Sequence, residues 1–542
     1  MAVGNPGSTA RPAPIQDDDW RWPLVLIAGI TVFRLLIAAV LPVTQDEAYY
    51  YNWARALAWG YFDHPPGVAL LGIGTRLIPG SVLAARLGAI AAGTLSLLVL
   101  WRFYLLCGLR AGRGLQLALV LAAATFPGLI AGIITTPDTV LALCWPLALH
   151  EALAALQGRR QRWLTAGVAT GLGLLGKYIM VVIGPIFLWA IIRADARALR
   201  TRWPYLGALL ALLVFLPNVL WNADNDWLTM RFQLGHGFAA QTGALYLGAE
   251  RLPAAAGPMA YVPPAVEPLG LPQRLSSLAG YLGSQLGFWG LLLFPLAAGL
   301  LSAKGIARSR RDFSSLVHPS ARPLLLAGTL FPLAFFGSVA MISDVEANWS
   351  ALYLTCAAPI AAIILLPLAR WALTAAALNL LLVGVYSLHA ATDLLPLPNA
   401  MERVMRETAG YAEAAQLVAT LPGPVFADRY PYAAMLNFYR PQLHVTQWPG
   451  ITRPSEYSRG QIEPIQAQPA LEQSGFWLFA RKFSPPMIAG YHATRTKTIF
   501  ACRAKPLTII DGAAGYEEAG CDKPLQVWHL YQYQPVAQRP KR

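Results

Sequence analysis

The chain has 542 residues, of which 56% are hydrophobic and only 13% charged. A soluble chain of this length carries about a quarter charged residues, so the composition excludes an ordinary soluble multidomain protein and makes lipid a large part of the solvent. The net charge of +14 could suit nucleic acid, but the bases sit in short loops between apolar runs and therefore read as membrane topology, with no nucleic-acid partner.

In chain order, residues 1–22 are polar and Pro-rich and are expected to form a cytoplasmic tail. The first apolar run, Leu24 to Leu41, has no small-residue cleavage site after it and reads as a retained anchor. A crossing helix needs roughly 20 apolar residues. Further spans are expected near Val82 to Leu106, Gly114 to Ile134, Pro137 to Leu156, Trp203 to Trp221, Gly280 to Leu301, Pro323 to Ile342, Ala351 to Ala369 and Trp371 to Ala391. The run Trp163 to Ile192 has arginine clusters on both sides, so it is read as two short spans broken at Gly176-Lys177-Tyr178, giving about eleven in all. With the amino terminus inside, eighteen Arg and Lys fall in cytoplasmic segments, against six in the external loops: Arg55, Arg76, Lys177, Arg231, Arg251 and Arg274. That bias places the carboxyl terminus outside.

After Ala391 the pattern changes to a helical stretch, Asn399 to Thr420, followed by short β-rich runs at Pro424 to Ala427, Leu443 to Thr446, Phe476 to Phe479 and Leu525 to Tyr533. Residues 392–542 are therefore expected to form a periplasmic α/β domain beside a membrane domain over 23–391. Cys502 and Cys521 both fall there, where an oxidising compartment would permit a disulfide; Cys107, Cys144 and Cys356 lie in or beside spans as small packing residues. No cysteine has zinc-ligand spacing.

Ionisable groups near hydrocarbon are costly, so their positions are informative. On this topology Asp46, Glu47, Asp63, His64, Asp138, Lys177, His236, Asp344 and Glu346 all lie near the external ends of spans, which describes a site opening outward. The first external loop, residues 44–80, contains TQDEAYYYNWARALAWGYFDHPP. Ala48 to Trp59 suits an aromatic helix lying in the headgroup region, with Asp46 and Glu47 at its amino end. Two readings stand side by side: Asp46 caps a helix and Asp63 to Pro66 turn the chain, or both carboxylates line a site. The second long external loop, 222–279, carries His236 and a Pro-rich stretch and is expected to act as a lid. His236 alone reads as structural or, with Asp63 or Asp46, as part of a metal site. Lys177 needs an anionic partner, either a phosphate or an acidic loop residue.

The motifs Asp46-Glu47-Ala48-Tyr49-Tyr50, Gly60-Tyr61-Phe62-Asp63-His64-Pro65-Pro66, Thr136-Pro137-Asp138, Lys177-Tyr178, Trp221-Asn222, Phe232-Gln233-Leu234-Gly235-His236-Gly237, Glu346-Ala347-Asn348-Trp349 and Ala427-Asp428-Arg429-Tyr430 follow in order along the chain. Together they resemble the bacterial family 39 membrane glycosyltransferases related to protein O-mannosyltransferases and lipid A aminoarabinose transferases. The resemblance implies a GT-C-type polytopic α-helical protein of the inner membrane, with an extracytoplasmic α/β domain. It also implies an inverting transfer of sugar from a polyprenyl-phosphate donor. A lipid A, lipopolysaccharide or related envelope glycolipid is the acceptor favoured, a protein hydroxyl the alternative, and a transporter the non-enzymatic reading. Under the resemblance Asp46, with Glu47, supplies the catalytic carboxylate; His64, Lys177 or Arg55 holds the donor phosphate; Asp63 and His236 match ligands of a divalent metal ion; and Tyr49, Tyr50, Asp138, Glu346 and Trp349 line the cavity. This chain departs from the pattern at Tyr49, where those relatives carry a basic residue, and in a shorter loop between the first two motifs.

Overall fold

A computed structural model describes residues 20–110, 112–238, 245–247, 259–261, 270–301, 303–343, 345–398, 401–463, 475–488 and 490–536; the side chains of 236–238, 245–247, 259–261, 303 and 304 are outside the description. The expected tail before Trp20 and Asp344 lie outside the described residues.

The chain is mostly helical. Among the described residues six helices are long and apolar enough to cross a membrane: Arg21–Val40, Val82–Leu106, Pro137–Leu156, Trp203–Asp224, Ala321–Ala340 and the run Ala347–Thr392. A seventh span arises if the pair Leu271–Gly287 and Gly290–Leu300, bent by 94°, counts as one. The eleven expected spans are therefore not established as a count. The stretch Gly114 to Ile134 breaks where Thr125 turns extended and caps a new helix, Phe126–Ile130, with Pro127 in its first turn. The stretch Trp163 to Ile192 does break at Lys177, which is extended between the helix Arg162–Gly176 and the 3-10 turn Tyr178–Val182. The span placed at Gly280 instead belongs to a helix that starts at Leu271 and bends near Gly290, whose φ is +55°.

Leu209, Leu212, Leu213, Leu216 and Leu220 are exposed on Trp203–Asp224, as expected for a lipid-facing surface. Its other face meets Arg162–Gly176 through glycines: a Cβ at Gly167 would lie 1.9 Å from the carbonyl oxygen of Gly207. Small residues let these backbones approach where no hydrophobic effect drives helices together.

The C-terminal region holds a six-stranded mixed sheet. Taken with the ribbon β1 (Leu245–Leu247) and β2 (Met259–Tyr261), its strands are β3 (Val425–Ala427), β4 (Thr446–Gln447), β5 (Phe476–Ala480), β6 (Tyr491–Ala501), β7 (Thr508–Asp511) and β8 (Gln526–Pro535). Their order is β4-β3-β5-β8-β6-β7, with β3 parallel to β4 and β5 and the other pairs antiparallel. The sequence reading lacks β6 and β7; the first half of β6 is rich in Thr and basic residues, and pairing along β8 holds it extended. The expected helix from Asn399 to Thr420 is two helices, Arg403–Thr408 and Tyr411–Val418, separated by Gly410 at φ +77°. Cys502 and Cys521 form a disulfide, and the other three cysteines are buried.

The aromatic first loop differs most from expectation. Its helix is shorter, Gln45–Trp53, and Tyr49, Tyr51 and Trp53 are buried, not lodged among headgroups. The helix packs against Tyr430–Tyr439 of the C-terminal region, where Asn52 donates to the carbonyl of Ala434 at 3.1 Å. Burial here needs protein on both sides, which local sequence does not announce.

Candidate active site

Thr44 caps Gln45–Trp53, and the Glu47 side chain returns to the Thr44 backbone amide at 3.1 Å, a capping box that fixes the helix start. Glu47 is fully buried. Its carboxylate accepts from Arg86 Nε at 2.8 Å and Nη2 at 2.6 Å, from the Tyr51 hydroxyl at 2.9 Å and from the Thr135 amide at 3.1 Å. Burial alone would raise its pKa, but the Arg86 guanidinium and these donors hold it below the usual carboxylate range. Arg86 also donates to the carbonyls of Ala38, Leu41 and Pro42, which end the first membrane helix. Every polar atom of this pair faces protein, so Glu47 is a structural anchor, a correction to its expected catalytic role.

The anchor turns its neighbour the other way. Asp46 is accessible to solvent, yet protein surrounds it on most sides, and among the described residues no side chain bonds its carboxylate. Burial pushes its pKa up to about 6; the negative charges of Glu407 and Asp63 add to this, and Arg453 and Arg403 oppose it.

Asp63 lies next to it and is nearly sealed. Its Oδ2 accepts from the Tyr49 hydroxyl at 2.7 Å and its Oδ1 pairs with Arg453 at 2.9 Å. His64 Nδ1 is 3.3 Å from Gln233, whose amide also reaches the carbonyl of Asp63. Across the site Lys177 grips Asp138 at 2.8 and 3.0 Å, and Asn348 donates to the same carboxylate at 2.6 Å. Asp138 stands in the first turn of Pro137–Leu156, where a negative charge is favoured. Tyr50 lies between these groups: burial first, then the charges of Asp46, Asp63 and Asp138, raise its hydroxyl well above its usual value. Asp46, Tyr49, Tyr50, Asp63, His64, Asp138 and Lys177 are thus brought together from four segments.

Beyond Asp138 an apolar cavity of about 280 Å³ runs between helices, lined by Thr136, Leu141, Trp145, Phe288 and Asn348 among others. Glu346 is exposed at the rim, within electrostatic reach of Arg403. Trp349 is buried edge-on against Phe336. Arg55 is also corrected. Its guanidinium is committed to Glu463, Asn52 and the carbonyl of Pro441, which ties the first loop to the C-terminal region.

Of the two expected metal ligands, only Asp63 has a described side chain. Both Asp63 oxygens are taken, one by an arginine, and no group of three His, Cys, Asp or Glu among the described residues could hold an ion. The side chain of His236 lies outside the described residues, on the helix Leu228–Phe238.

Sequence reasoning misses the contribution of the C-terminal region. Glu456 donates its amide to the Tyr49 hydroxyl at 2.7 Å and accepts from the Phe62 amide at 2.5 Å. Arg459 pairs with Glu456 at 3.2 Å and lies over the Trp221 ring. Arg453, Arg403 and Glu407 complete the charge around Asp46. Only the Asp428-Arg429-Tyr430 motif signalled this region; its Tyr430 packs 4.6 Å from Tyr49, ring to ring.

Comparison with known proteins agrees with this architecture. Residues 63–221 match the family described as dolichyl-phosphate-mannose-protein mannosyltransferase. Two curated relatives from Rhizobium johnstonii are similar: the lipid A galacturonosyltransferase RgtD, 25% identical over 218 residues, 38% of this chain and 45% of that protein, and the lipopolysaccharide core galacturonosyltransferase RgtA, 28% identical over 220 residues, 37% and 42%. The chain spans less than half the length of either. Crystal structures of ArnT from Cupriavidus metallidurans superpose over almost the whole chain: the apo form with TM-score 0.58, 14% identity and coverage of 94% and 98%, and the form bound to undecaprenyl phosphate with TM-score 0.58, 15% identity and coverage of 96% and 99%. The fold is that of these ArnT structures.

Proposed function

We propose that this protein is an inner-membrane glycosyltransferase that moves a sugar from a polyprenyl-phosphate donor to an envelope glycolipid outside the cytoplasm, with inversion at the anomeric carbon. The observation that carries the reading is the solvent-accessible Asp46 carboxylate, unbonded among the described residues and set among Asp63, Arg453 and Arg403. Its relatives support the acceptor class, since RgtD is named for lipid A and RgtA for the lipopolysaccharide core. The undecaprenyl phosphate bound by one ArnT structure supports the donor class. The excess of basic residues on one side supports an inside amino terminus and a periplasmic C-terminal domain.

In the reaction the acceptor oxygen forms a bond to the anomeric carbon as the bond from that carbon to the phosphate oxygen breaks. The electron pair leaves with the polyprenyl phosphate, which gains one negative charge. Lys177 and His64 would stabilise that charge. With a hydroxyl acceptor the proton passes to Asp46; with a phosphate acceptor, already ionised, Asp46 orients it. The prenyl chain suits the cavity beyond Asp138, lined by Leu141, Trp145 and Phe288.

The test is mass spectrometry of envelope lipids from cells with the wild-type protein, with Asp46→Asn, and without the protein. A single sugar mass should be missing from one glycolipid in both the deletion and the variant, with the variant still expressed at normal level. Identical lipids in all three strains would refute the proposal.

A further inference from the structure

The segment between β4 and the 3-10 turn Glu456–Arg459 is held by its own polar side chains. Gln447 donates to the Thr452 hydroxyl at 3.0 Å and to the Arg453 carbonyl at 2.7 Å, and accepts from the Ser455 hydroxyl at 2.6 Å. Thr452 in turn donates to the Asp428 carbonyl at 2.7 Å. The Arg453 backbone is therefore placed before any ligand arrives. Its guanidinium is clamped between two rings, 4.5 Å from the Tyr430 centroid and 5.2 Å from that of Phe232, so its plane is set as well. One contact comes from the C-terminal region and the other from the helix after the fourth long span.

Burial across its ion pair is uneven. The Asp63 side chain is 6% exposed, whereas that of Arg453 is 33% exposed. The carboxylate is the more buried partner, and the guanidinium, whose Nη1 also donates to the Pro454 carbonyl at 3.1 Å, stays partly exposed and within electrostatic reach of Asp46. Asp63 and Asp46 would leave two negative charges there, and Arg453 is the cation closest to both that the C-terminal region contributes. A planar fork with N–H groups to spare suits a tetrahedral oxyanion better than a point charge does.

Resting on the donor class proposed above, we infer that Arg453 is a phosphate-binding residue of the site, supplied by the C-terminal domain, and that this guanidinium provides the positive charge for which a metal ion at Asp63 would otherwise be needed. The domain is then part of the binding site and not an appendage to it. Asp63 is the counter-charge of Arg453 in the absence of ligand, while the two rings and the backbone aim the guanidinium.

The test uses the full-length protein in nanodiscs and two probes, undecaprenyl phosphate and uncharged undecaprenol. Wild type should bind the phosphate at least about tenfold more tightly than the alcohol, and EDTA should leave that preference intact. Arg453→Gln should lose about tenfold or more in phosphate affinity with alcohol affinity unchanged, a split that a misfolded variant would not give, and Arg453→Lys should recover part of the loss. Asp63→Asn keeps the arginine while removing its competitor, so phosphate affinity should hold or rise. A full phosphate preference in Arg453→Gln would overturn the assignment, as would an equal loss in Asp63→Asn or loss of preference in EDTA-treated wild type. A wild type with no preference for the phosphate would instead count against the polyprenyl-phosphate reading itself.

Discussion

Two adjacent acids carry opposite tasks because a helix points neighbouring side chains in different directions. Glu47 turns inward to Arg86, and Asp46 is exposed. Glu47→Gln leaves a buried guanidinium without a counter-charge, which costs about 3–5 kcal/mol. Its expected signature is a lowered melting temperature and poor recovery from membranes, not a normally folded protein with slow turnover. Asp46 behaves in the contrary way. With its pKa near 6, among Glu407, Asp63, Arg453, Arg403, Tyr50 and Tyr430, it is protonated below that value and ready to accept above it. Transfer to a hydroxyl should rise with pH through about 6, and the limb should vanish in Asp46→Asn. The folded state binds this proton more tightly than the unfolded chain, whose carboxyl titrates near 3.8. The stabilisation it brings is complete below pH 3.8 and is lost as pH rises through 6, so Asp46→Asn should melt no lower than wild type at pH 7.5.

At the scale of elements, the first loop is folded by aromatic contacts that only a close backbone permits. Trp53 stacks on Tyr61 with centroids 4.3 Å apart, and the Tyr61 hydroxyl caps the carbonyls of Trp53 and Ala56. Gly60 precedes this ring because a Cβ there would come within 2.2 Å of the Trp221 indole. Gly60→Ala must therefore displace Trp221, and with it the Arg459 guanidinium that lies 4.8 Å from its ring. The expected outcome is a drop in thermal stability of about 1–3 kcal/mol and weaker binding of undecaprenyl phosphate, measured on the purified protein. Hydropathy marks the apolar segments well, but it is blind to the breaks at Thr125 and Gly290, which interrupt a run through backbone geometry and not through polarity.

For the whole molecule the decisive feature is the contact between distant parts of the chain. Tyr49 and Glu456 are joined although 407 residues apart, and Arg55 meets Glu463 across a similar distance. The C-terminal domain closes over the first loop, so both must lie on one side of the membrane. An alkaline phosphatase fused after Arg542 should be active in the periplasm, and one fused in the basic segment near Arg310 inactive; the reverse pattern would invert the topology.

The sequence alone determined the membrane class, the break at Lys177, the α/β character of the C-terminal part and the clustering of acids at one end of the helices. These follow from composition, hydropathy and charge, which act over a few turns of chain. Tertiary structure decided which carboxylate is spent on Arg86 and which is free, why the aromatic helix is buried, and that Arg453, Glu456 and Arg459 belong to the site. Those outcomes rest on burial and ion pairing between segments hundreds of residues apart, and no local spacing encodes the pairing of charges that meet only when the chain has folded.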